Sequence, residues 1–421
     1  MKHLIQSATI VDPTSKHHLK QVDLVIENGI ITTIGKGLNA DDCVIIQSKN
    51  LHLSKGWIDL KANYQDPGFE YKEDIESGSK ASASGGFTKV CISPLSLPVI
   101  DSKAQVDYVK NKAKNQLVDV LPYACISKDA KGKELAEMHD MHQSGAIAFT
   151  DDKRAIRNPN LLLRALLYTQ SFDGLILSFP HTHEIAEHGV MNEGNVSTHL
   201  GLNGIPELAE DLMCIRDIHL TEYSNGRIHF SQISSSKSIE LIKLAKKQGL
   251  NITCDIASYS IALSDEELYG FDSRLKTLPP LRSKETIKNL IKGIKSGVVD
   301  AICSDHTPED IENKKKEFDY AAFGIINAQT AFSSAFDALN SQLDVTSIIQ
   351  LFTEGPAKVL KLNLESIEQG NKANLTLFDP ELNFTFTKDK VISKSKNSPF
   401  FKKELKGKVI GVFNNKKVHI N

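Results

Sequence analysis

The stretch GWIDLKANYQDPGFEYKEDIESGSKASASGGFT, from Gly56 to Thr88, sets the architecture expected for the whole chain. It opens with an apolar segment ending at Asp59, which is the pattern of a buried strand followed by a polar loop. Pro67-Gly68 then predicts a turn, because proline fixes φ and glycine tolerates left-handed backbone. A run of small residues closed by Gly85-Gly86 predicts a short helix. Strand, loop and helix in this order indicate the start of an alternating α/β fold.

The same alternation continues from residue 54 to residue 355. Apolar segments such as KVCISP, GLILSF and DAICSDH alternate with amphipathic segments such as SIELIKLAKKQG and KETIKNLIKGIKSG. Repeated units of this kind predict a parallel sheet, most economically a closed (β/α)8 barrel of the TIM type. Residues 1–53 and 356–421 show short strand and turn patterns instead, with Asn28-Gly29 as a hairpin signal. We therefore expect an α/β protein with a barrel over 54–355 and a second small β domain built from both termini.

The composition is that of an ordinary globular protein without an electrostatic preference for nucleic acid or membrane. Hydrophobic residues make up 40% of the chain and charged residues 24%. The net charge of -2 offers no concentrated basic surface, so we expect neither nucleic acid nor a membrane as partner. The six cysteines show no Cys-x-x-Cys spacing, and residues 1–20 lack a signal-peptide pattern. We predict a cytoplasmic protein with reduced thiols.

The opening stretch resembles the first strand and loop of the dihydroorotases, which are cyclic amidohydrolases with a (β/α)8 barrel. Their pattern there is Asp-x-His-x-His-x-Arg-x-Pro-Gly, followed by Lys-Glu-Asp and Gly-Gly-Phe-Thr. Further matches at MNEGNVSTHLGLNGIPELAED, LPPLRS, VVDAICSDHTP and TEGPAKVLKL extend the resemblance over nearly the whole chain. The matching residues in the opening stretch are Asp59, Pro67, Gly68, Lys72, Glu73, Asp74, Ser77, Gly78, Gly85, Gly86, Phe87 and Thr88.

The resemblance implies a metal site at the carboxyl ends of the strands, but most of its ligands are replaced. In the family, one or two divalent metals polarise an amide carbonyl and activate water for hydrolysis. The two carboxylate positions hold Asp151 and Asp305, and the second doubles as general base in the family. The four histidine positions hold Lys61, Asn63, Phe179 and Gln232. We therefore expect neither a metal nor a working catalytic residue, and we treat Asp151, Asp305 and the adjacent His306 as vestigial.

The positions that bind the substrate carboxylate in the family have changed in the same way. The arginine position holds Gln65, and two asparagine positions hold Leu95 and Leu278. A buried anion without its hydrogen-bond donors is strongly disfavoured. We expect no substrate binding through these three residues.

Two features leave alternatives open. A slipped register would bring His181 or His183 into the site, although the preceding proline and the polar loop favour a surface turn. Lys61 is expected to replace the missing metal charge, with its ammonium within hydrogen-bonding reach of Asp305 or Asp151. The alternative for this lysine is an extended side chain that reaches solvent.

The leading hypothesis is a dihydroorotase-like protein of pyrimidine biosynthesis that lacks hydrolase activity and acts as a structural or regulatory partner. The family includes inactive members that assemble with aspartate carbamoyltransferase, so the resemblance suggests this enzyme as the partner. We also expect a homo-oligomer, most simply a dimer.

Two other functions remain open. The first is an active, zinc-dependent dihydroorotase that converts dihydroorotate and water to carbamoyl aspartate, with a site rebuilt from the surviving carboxylates, a loop histidine and Asn63. The second is a small-molecule binding module with a less polar pocket formed by Leu95, Phe179 and Leu278. In the leading hypothesis no cofactor is expected, and zinc is expected only in the active enzyme.

Overall fold

The computed structural model describes residues 2–39 and 41–421. Its strands are β1 (Lys2–Val11), β2 (Gln21–Glu27), β3 (Ile30–Gly35), β4 (Val44–Ile46), β5 (His52–Lys55), β6 (Trp57–Ala62), β7 (Phe87–Ile92), β8 (Asp119–Ala124), β9 (Ala148–Phe149), β10 (Ile176–Ser178), β11 (Met191–Asn192), β12 (Gly204–Ile205), β13 (Ile228–Phe230), β14 (Ile252–Ala257), β15 (Ala301–Cys303), β16 (Leu375–Thr385), β17 (Glu404–Asn414) and β18 (Lys417–Ile420).

The α-helices are α1 (Ile75–Ser84), α2 (Lys103–Ala113), α3 (Met138–Ser144), α4 (Pro159–Thr169), α5 (His183–Ala186), α6 (Asn195–Leu200), α7 (Leu208–Ser224), α8 (Ser236–Lys247), α9 (Tyr259–Ala262), α10 (Lys284–Lys295), α11 (Ile311–Lys314), α12 (Ala331–Leu339), α13 (Val345–Gln350) and α14 (Glu354–Leu360). Short 3-10 helices lie at Lys128–Ala130, Gln170–Phe172, Asp265–Gly270, Ser273–Leu275 and Lys388–Lys390. Among the described residues, no helix combines the length and apolar character that crossing a membrane requires.

Eight parallel strands form the barrel, in the order β6-β7-β8-β9-β10-β13-β14-β15. Its two edges meet where Ala62 pairs in parallel with His306 and the Asn63 backbone N–H donates to the His306 carbonyl at 2.7 Å. Every residue of β6 is buried, as expected for a strand covered on both faces. The prediction of a TIM-type barrel is confirmed.

The helices cover the outside of the barrel with their apolar faces. The segment SIELIKLAKKQG, predicted to be helical from its periodicity, lies in α8, where Ser235 caps the first turn and Ile239, Ile242 and Ala245 are buried. KETIKNLIKGIK forms α10, capped by Ser283. The amphipathic pattern therefore identified these two helices from sequence alone.

A second sheet joins strands from both ends of the chain, in the order β18-β17-β16-β5-β1-β2-β3, with β4 paired to β1. Its strands β5 and β16 are antiparallel neighbours, which brings residues 52–55 and 375–378 together. Asn28 and Gly29 have φ values of 51° and 78° and connect β2 to β3 as a tight hairpin. The hairpin predicted from this dipeptide is confirmed, and so is a second β unit built from both termini.

Aromatic packing joins the second sheet to the amino-terminal end of the barrel. Trp57, at the start of β6, is fully buried. Its ring centroid lies 4.4 Å from that of Phe332, 5.5 Å from that of Phe352 and 5.6 Å from that of Phe378. Because large aromatic side chains dominate the free energy of burial, this cluster fixes the barrel on the sheet and leaves the opposite end free for a site.

Candidate functional site

The carboxyl ends of the barrel strands carry four residues with left-handed backbone. Such φ values are uncommon for residues other than glycine, cost roughly 1–3 kcal/mol each and concentrate at functional sites. In a TIM-type barrel this end is also where active sites lie. The four residues are Gln65 (φ 62°), Asp152 (φ 52°), Gln232 (φ 61°) and Asp305 (φ 44°).

Lys61 forms a buried ion pair with Asp152. Lys61 is 3% exposed and Asp152 is 7% exposed, and the ammonium donates to Oδ2 of the carboxylate. The Ser93 hydroxyl donates to the same oxygen. Burial raises the pKa of Asp152, but the charges of Lys61 and Lys153 outweigh this effect and leave the pKa below its ordinary value. The carboxylate is therefore ionised at neutral pH.

The predicted partner of Lys61 was wrong. We expected Asp305 or Asp151, and the structure places the ammonium on Asp152. The two aspartates are consecutive, and the left-handed backbone at Asp152 turns the second side chain toward Lys61. The alternative of a lysine that reaches solvent is also excluded, since Lys61 is buried.

The Asp151 carboxylate binds the loop after β8 and no lysine among the described residues. Its carboxylate accepts hydrogen bonds from the backbone N–H groups of Ile126 at 2.8 Å and Ser127 at 3.0 Å, and from the Ser127 hydroxyl. Burial raises its pKa to about 6, although these hydrogen bonds oppose the shift. The residue thus caps the turn after β8.

Asp305 is paired with a second lysine. The Lys153 Nζ lies 2.9 Å from Asp305 Oδ2, and the Tyr259 hydroxyl donates to the same oxygen at 2.6 Å. Asp305 is 2% exposed and Tyr259 is fully buried. Burial and the neighbouring carboxylate raise the pKa of Tyr259 well above its ordinary value, so the phenol remains a donor.

His306 and Glu73 connect the end of β15 to two loops. His306 Nδ1 accepts from the backbone N–H groups of Asn327 at 3.0 Å and Ala328 at 3.2 Å, so Nε2 carries the proton. That nitrogen lies 3.3 Å from Glu73 Oε2. Burial opposes ionisation of Glu73, but hydrogen bonds from His306, Ser393 and Ser77 lower its pKa. His306 is held by these contacts and does not face the mouth.

The other replaced positions contribute amides and apolar groups. Asn63 Oδ1 accepts from the Gln65 backbone N–H at 3.1 Å, and Gln65 Nε2 donates to the Pro308 carbonyl at 3.1 Å. The side-chain amide of Gln232 is buried, and within the described residues neither its oxygen nor its nitrogen has a hydrogen-bond partner. Phe179 is 5% exposed and borders a cavity of about 10 Å³ next to Asp152. That volume holds at most about one water molecule.

The apolar residues at the former substrate positions do not share one pocket. Leu95 packs against Val99, Cys125 and Ala130. Leu278 packs on a different cluster that contains Ile205. This separation is contrary to the single less polar pocket that these residues were expected to form with Phe179.

The loop histidines lie apart from the paired carboxylates. The ring of His181 lies 5.9 Å from the Phe179 ring, and its backbone N–H lies 3.2 Å from Met213 Sδ. Burial and the nearby His183 lower the pKa of His181 to about 4, so the ring is neutral at physiological pH. His183 begins the short helix α5. Among residues 2–39 and 41–421, no three side chains of His, Cys, Asp or Glu are grouped as they would be around a metal ion.

The residues at the barrel mouth do not fit a divalent metal. A zinc site needs neutral imidazoles, thiolates or free carboxylates. Here Asp152 and Asp305 each bind an ammonium group, and Asp151 is bonded to the turn after β8. The replaced histidine positions other than Lys61 offer two amides and a phenyl ring, from Asn63, Gln232 and Phe179. A dication would have to displace Lys61 and Lys153 against their charge.

Three residues of this arrangement were missed from sequence. Asp152, Lys153 and Tyr259 were not among the site residues predicted from the sequence. One signal was available, because a lysine directly follows the aspartate pair at the end of a strand. The contact between Tyr259 and Asp305 joins distant segments and has no local signature.

Solved structures confirm the fold. The chain superimposes on the L-hydantoinase (dihydropyrimidinase) from Arthrobacter aurescens with a TM-score of 0.84 and 18% identity, covering 99% of this chain and 96% of that one. For the dihydropyrimidinase from Brevibacillus agri the TM-score is 0.83 and the identity 19%, covering 100% and 95% of the two chains. At this identity the likeness supports the barrel and its second β unit, and nothing about activity.

Sequence relatives identify the family. A family model described as "Dihydro-orotase-like" matches residues 51–238. The protein named "Dihydroorotase" of Acetivibrio thermocellus is 39% identical, covering 96% of each chain, and that of Syntrophus aciditrophicus is 37% identical, covering 97% of each chain. Matches of this extent cover the barrel and both termini. The chain therefore belongs to the dihydroorotase family.

Proposed function

We propose that this protein serves pyrimidine biosynthesis as a dihydroorotase-family member without hydrolase activity, in a structural or regulatory role. The supporting observation is that each carboxylate of the mouth binds a lysine, Lys61 on Asp152 and Lys153 on Asp305. A carboxylate compensated in this way is a poor ligand for a dication and a poor general base, because an adjacent positive charge lowers its affinity for a proton.

The test combines metal analysis with turnover. Protein expressed with added zinc should contain well under one equivalent of metal. It should neither hydrolyse dihydroorotate nor close carbamoyl aspartate above the background rate. The Acetivibrio thermocellus relative, prepared in parallel, controls for the assay. Zinc-dependent turnover by the unmodified chain would refute the proposal.

A variant with two restored histidines tests how many of the replaced residues prevent hydrolysis. Lys61→His combined with Asn63→His returns two imidazoles to β6 and the loop after it. We expect no activity, because Gln232 still offers an amide, Gln65 still lacks the positive charge of an arginine and Leu95 still lacks the hydrogen-bond donor of an asparagine. Recovery of turnover by this pair alone would show that the mouth had lost only its first two ligands.

The partner is proposed on the resemblance. Aspartate carbamoyltransferase of the same cell is the expected partner, in the cytoplasm, with this chain as a homodimer in the assembly. The support is that the chain has the barrel of the family while the family's four histidine positions hold other residues, which favours a role for the surface. Co-purification of the two proteins, and loss of the enzyme's assembly on deletion of this chain, are the expected results. Native mass spectra that show only self-assembled species in the mixture would refute this partner.

The second candidate is an active dihydroorotase with a rebuilt site. The comparisons favour it, since relatives 36–39% identical over nearly their whole length carry the name dihydroorotase. The donor set of the mouth favours the first candidate. Expression in a bacterium that lacks its own dihydroorotase separates them, because growth without a pyrimidine supplement requires turnover. Growth supports the active enzyme, and failure with normal protein levels supports the inactive member.

A further inference from the structure

A long groove lies at the base of the barrel, opposite the mouth. It runs between the second sheet and the amino-terminal ends of β6, β7 and β8, and consists of two cavities of about 640 and 520 Å³. The cavities share Asn28, Gly29 and Lys416 in their walls. Each has the size of a small-molecule binding site.

The larger cavity is strongly basic. Five lysines line it, against two acidic residues, Asp119 and Glu365. Lys89 is paired with Asp119 at 2.5 Å, and the buried Lys55 is paired with Asp12 at 3.1 Å. The other three lysines are exposed and take part in none of the ion pairs found among residues 2–39 and 41–421; they are Lys114, Lys372 and Lys416. They come from α2, the loop before β16 and the β17–β18 hairpin, so three separate segments direct charge to one place.

This convergence is unusual for the molecule. The whole chain has a net charge of -2, so a basic patch of this size is not a reflection of overall composition. A concave surface with one sign of charge concentrates ligands of the opposite charge. Several ammonium groups without carboxylate partners fit a ligand that carries more than one negative charge, such as a diphosphate or triphosphate.

The smaller cavity has a different chemistry. Its walls include Ile26, Leu117, Phe413 and Val418, and the His3 ring packs edge-on against Phe413 at 5.2 Å. The amides of Asn115 and Gln116 lie at its edge. Apolar and aromatic walls with amide groups at the rim suit a planar heteroaromatic ring, which stacks on its faces and hydrogen-bonds at its edge.

The junction between the cavities is held in place by the hairpin tip. Asn415 and Lys416 have left-handed φ values of 51° and 60°. Asn415 Nδ2 donates to Asp119 Oδ1 at 2.7 Å, and Asn414 Nδ2 donates to the Leu117 carbonyl at 2.9 Å. A Cβ atom at Gly29 would lie 2.9 Å from Lys416 Cα, so position 29 in the neighbouring turn requires glycine. The tip is thereby bonded to the base of the barrel before any ligand arrives.

We propose that this groove binds a nucleoside polyphosphate, with the phosphates on Lys114, Lys372 and Lys416 and the base between Leu117 and Phe413. The inference does not depend on whether the barrel mouth is active, since no residue of the mouth lines the groove. A ligand here would contact both the second sheet and the barrel, which gives a regulatory partner a way to sense nucleotide.

The test is calorimetric titration of the full chain with ATP, UTP, pyrophosphate and adenosine. We expect at least one nucleoside triphosphate to bind. Lys372→Gln combined with Lys416→Gln should weaken that binding by about tenfold or more, because charge-assisted contacts to phosphate are lost. Lys243→Gln is the matched control, since this exposed lysine lies on α8 away from the groove, and it should leave the affinity unchanged.

The probes also separate the two halves of the proposal. Binding of the triphosphate about tenfold tighter than pyrophosphate supports use of the base cavity. Equal affinity for pyrophosphate and the triphosphates would overturn the assignment to a nucleotide. Absence of binding by both triphosphates, or binding that Lys372→Gln with Lys416→Gln leaves unchanged, would overturn the site.

Discussion

The pair between Lys61 and Asp152 is almost completely withdrawn from water, and this makes its removal costly. Lys61→Met would leave the Asp152 carboxylate buried beside Ser93 with only Lys153 nearby. Stranding one partner of a buried pair is much worse than losing an exposed pair. We expect a loss of about 3 kcal/mol in the free energy of unfolding, measured by urea denaturation.

Two controls define that effect. Lys80→Met removes an exposed pair with Glu76 on α1, in which both side chains are at least 60% exposed, and should cost under about 1 kcal/mol. The double variant Lys61→Met with Asp152→Asn should cost less than the sum of the two single changes, because neither charge is then stranded. A Lys61→Met loss as small as that of Lys80→Met would show that the pair is hydrated in solution.

Asp151 makes the free energy of unfolding depend on pH with the opposite sign to that expected from an ion-paired carboxylate. Its folded pKa of about 6 lies above the ordinary 3.8, so the folded state binds more protons than the unfolded chain between these values. Stability from this group is therefore full below pH 4 and is lost as pH rises through 6. The difference corresponds to about 3 kcal/mol at neutral pH, as an upper limit.

Asp151→Asn tests this sign. The amide keeps an oxygen for the Ile126 and Ser127 N–H groups and does not ionise. Relative to the parent, the variant should be more stable at pH 7.5 than at pH 4.5, by up to about 2 kcal/mol in the difference of unfolding free energies, because part of the effect is already lost at pH 4.5. Asp344→Asn, at the exposed start of α13, should show almost no difference between these two pH values, because the Ser347 N–H lowers the pKa of Asp344 and its stability is lost only at lower pH. A difference as large in Asp344→Asn as in Asp151→Asn would contradict the assignment.

At the scale of single elements, α1 is positioned by small residues. Asp74 and Ser77 form a capping box at its start, and a Cβ atom at Gly78 would lie 2.4 Å from Tyr64 Cδ1. The Tyr64 ring is buried and its hydroxyl is hydrogen-bonded to Ser82 at 2.7 Å, so the ring cannot retreat. The helix therefore depends on glycine at one point of contact with the loop after β6.

Gly78→Ala is expected to destabilise the protein although alanine is the better helix former. The gain in helix propensity is about 1 kcal/mol, whereas overpacking a buried ring costs about 1–3 kcal/mol. Gly293→Ala in α10 is the matched control, since its added Cβ would lie within 3 Å of one methyl group, Cγ2 of Ile239 at 2.8 Å, whereas the Cβ at Gly78 would lie within 3 Å of three Tyr64 ring atoms. Urea denaturation should rank Gly78→Ala as the more damaging change. The reverse order would show that the Tyr64 ring moves freely.

The helices and the hairpin were predictable from sequence, whereas the ion pairs at the strand ends were not. Periodicity identified α8, α10 and the alternation of the barrel, because these depend on local patterns of apolar residues. The hairpin at Asn28-Gly29 followed from turn chemistry. The pairing of the charged residues did not follow, because one left-handed φ at Asp152 decides which aspartate faces Lys61. The contact between Lys153 and Asp305 joins residues 152 positions apart.

Across the whole molecule, the two ends of the barrel differ in how their lysines are paired. At the mouth, Lys61 and Lys153 form ion pairs with Asp152 and Asp305, and the neighbouring cavity is about 10 Å³. At the base, Lys114, Lys372 and Lys416 line an open cavity and pair with no carboxylate of the part of the chain that the structure describes. Ligands carrying negative charge are therefore expected at the base, and the mouth acts as part of the folded core.

That division predicts how the whole protein responds to metal. A ligand that binds only the folded state stabilises it in proportion to the logarithm of the ratio of ligand concentration to Kd. Bound zinc at a thousand times its Kd would therefore add about 4 kcal/mol to the free energy of unfolding and raise Tm by several degrees. Because Lys61 and Lys153 already neutralise the mouth, we expect zinc or a chelator, each at about 1 mM, to change Tm of the parent protein by less than about 1 °C. Lys61→Met frees the Asp152 carboxylate and should gain more from zinc than the parent does. Differential scanning calorimetry of both proteins, each with and without chelator, decides the matter. A parent Tm that falls on chelation would mean that the paired carboxylates hold a metal in solution.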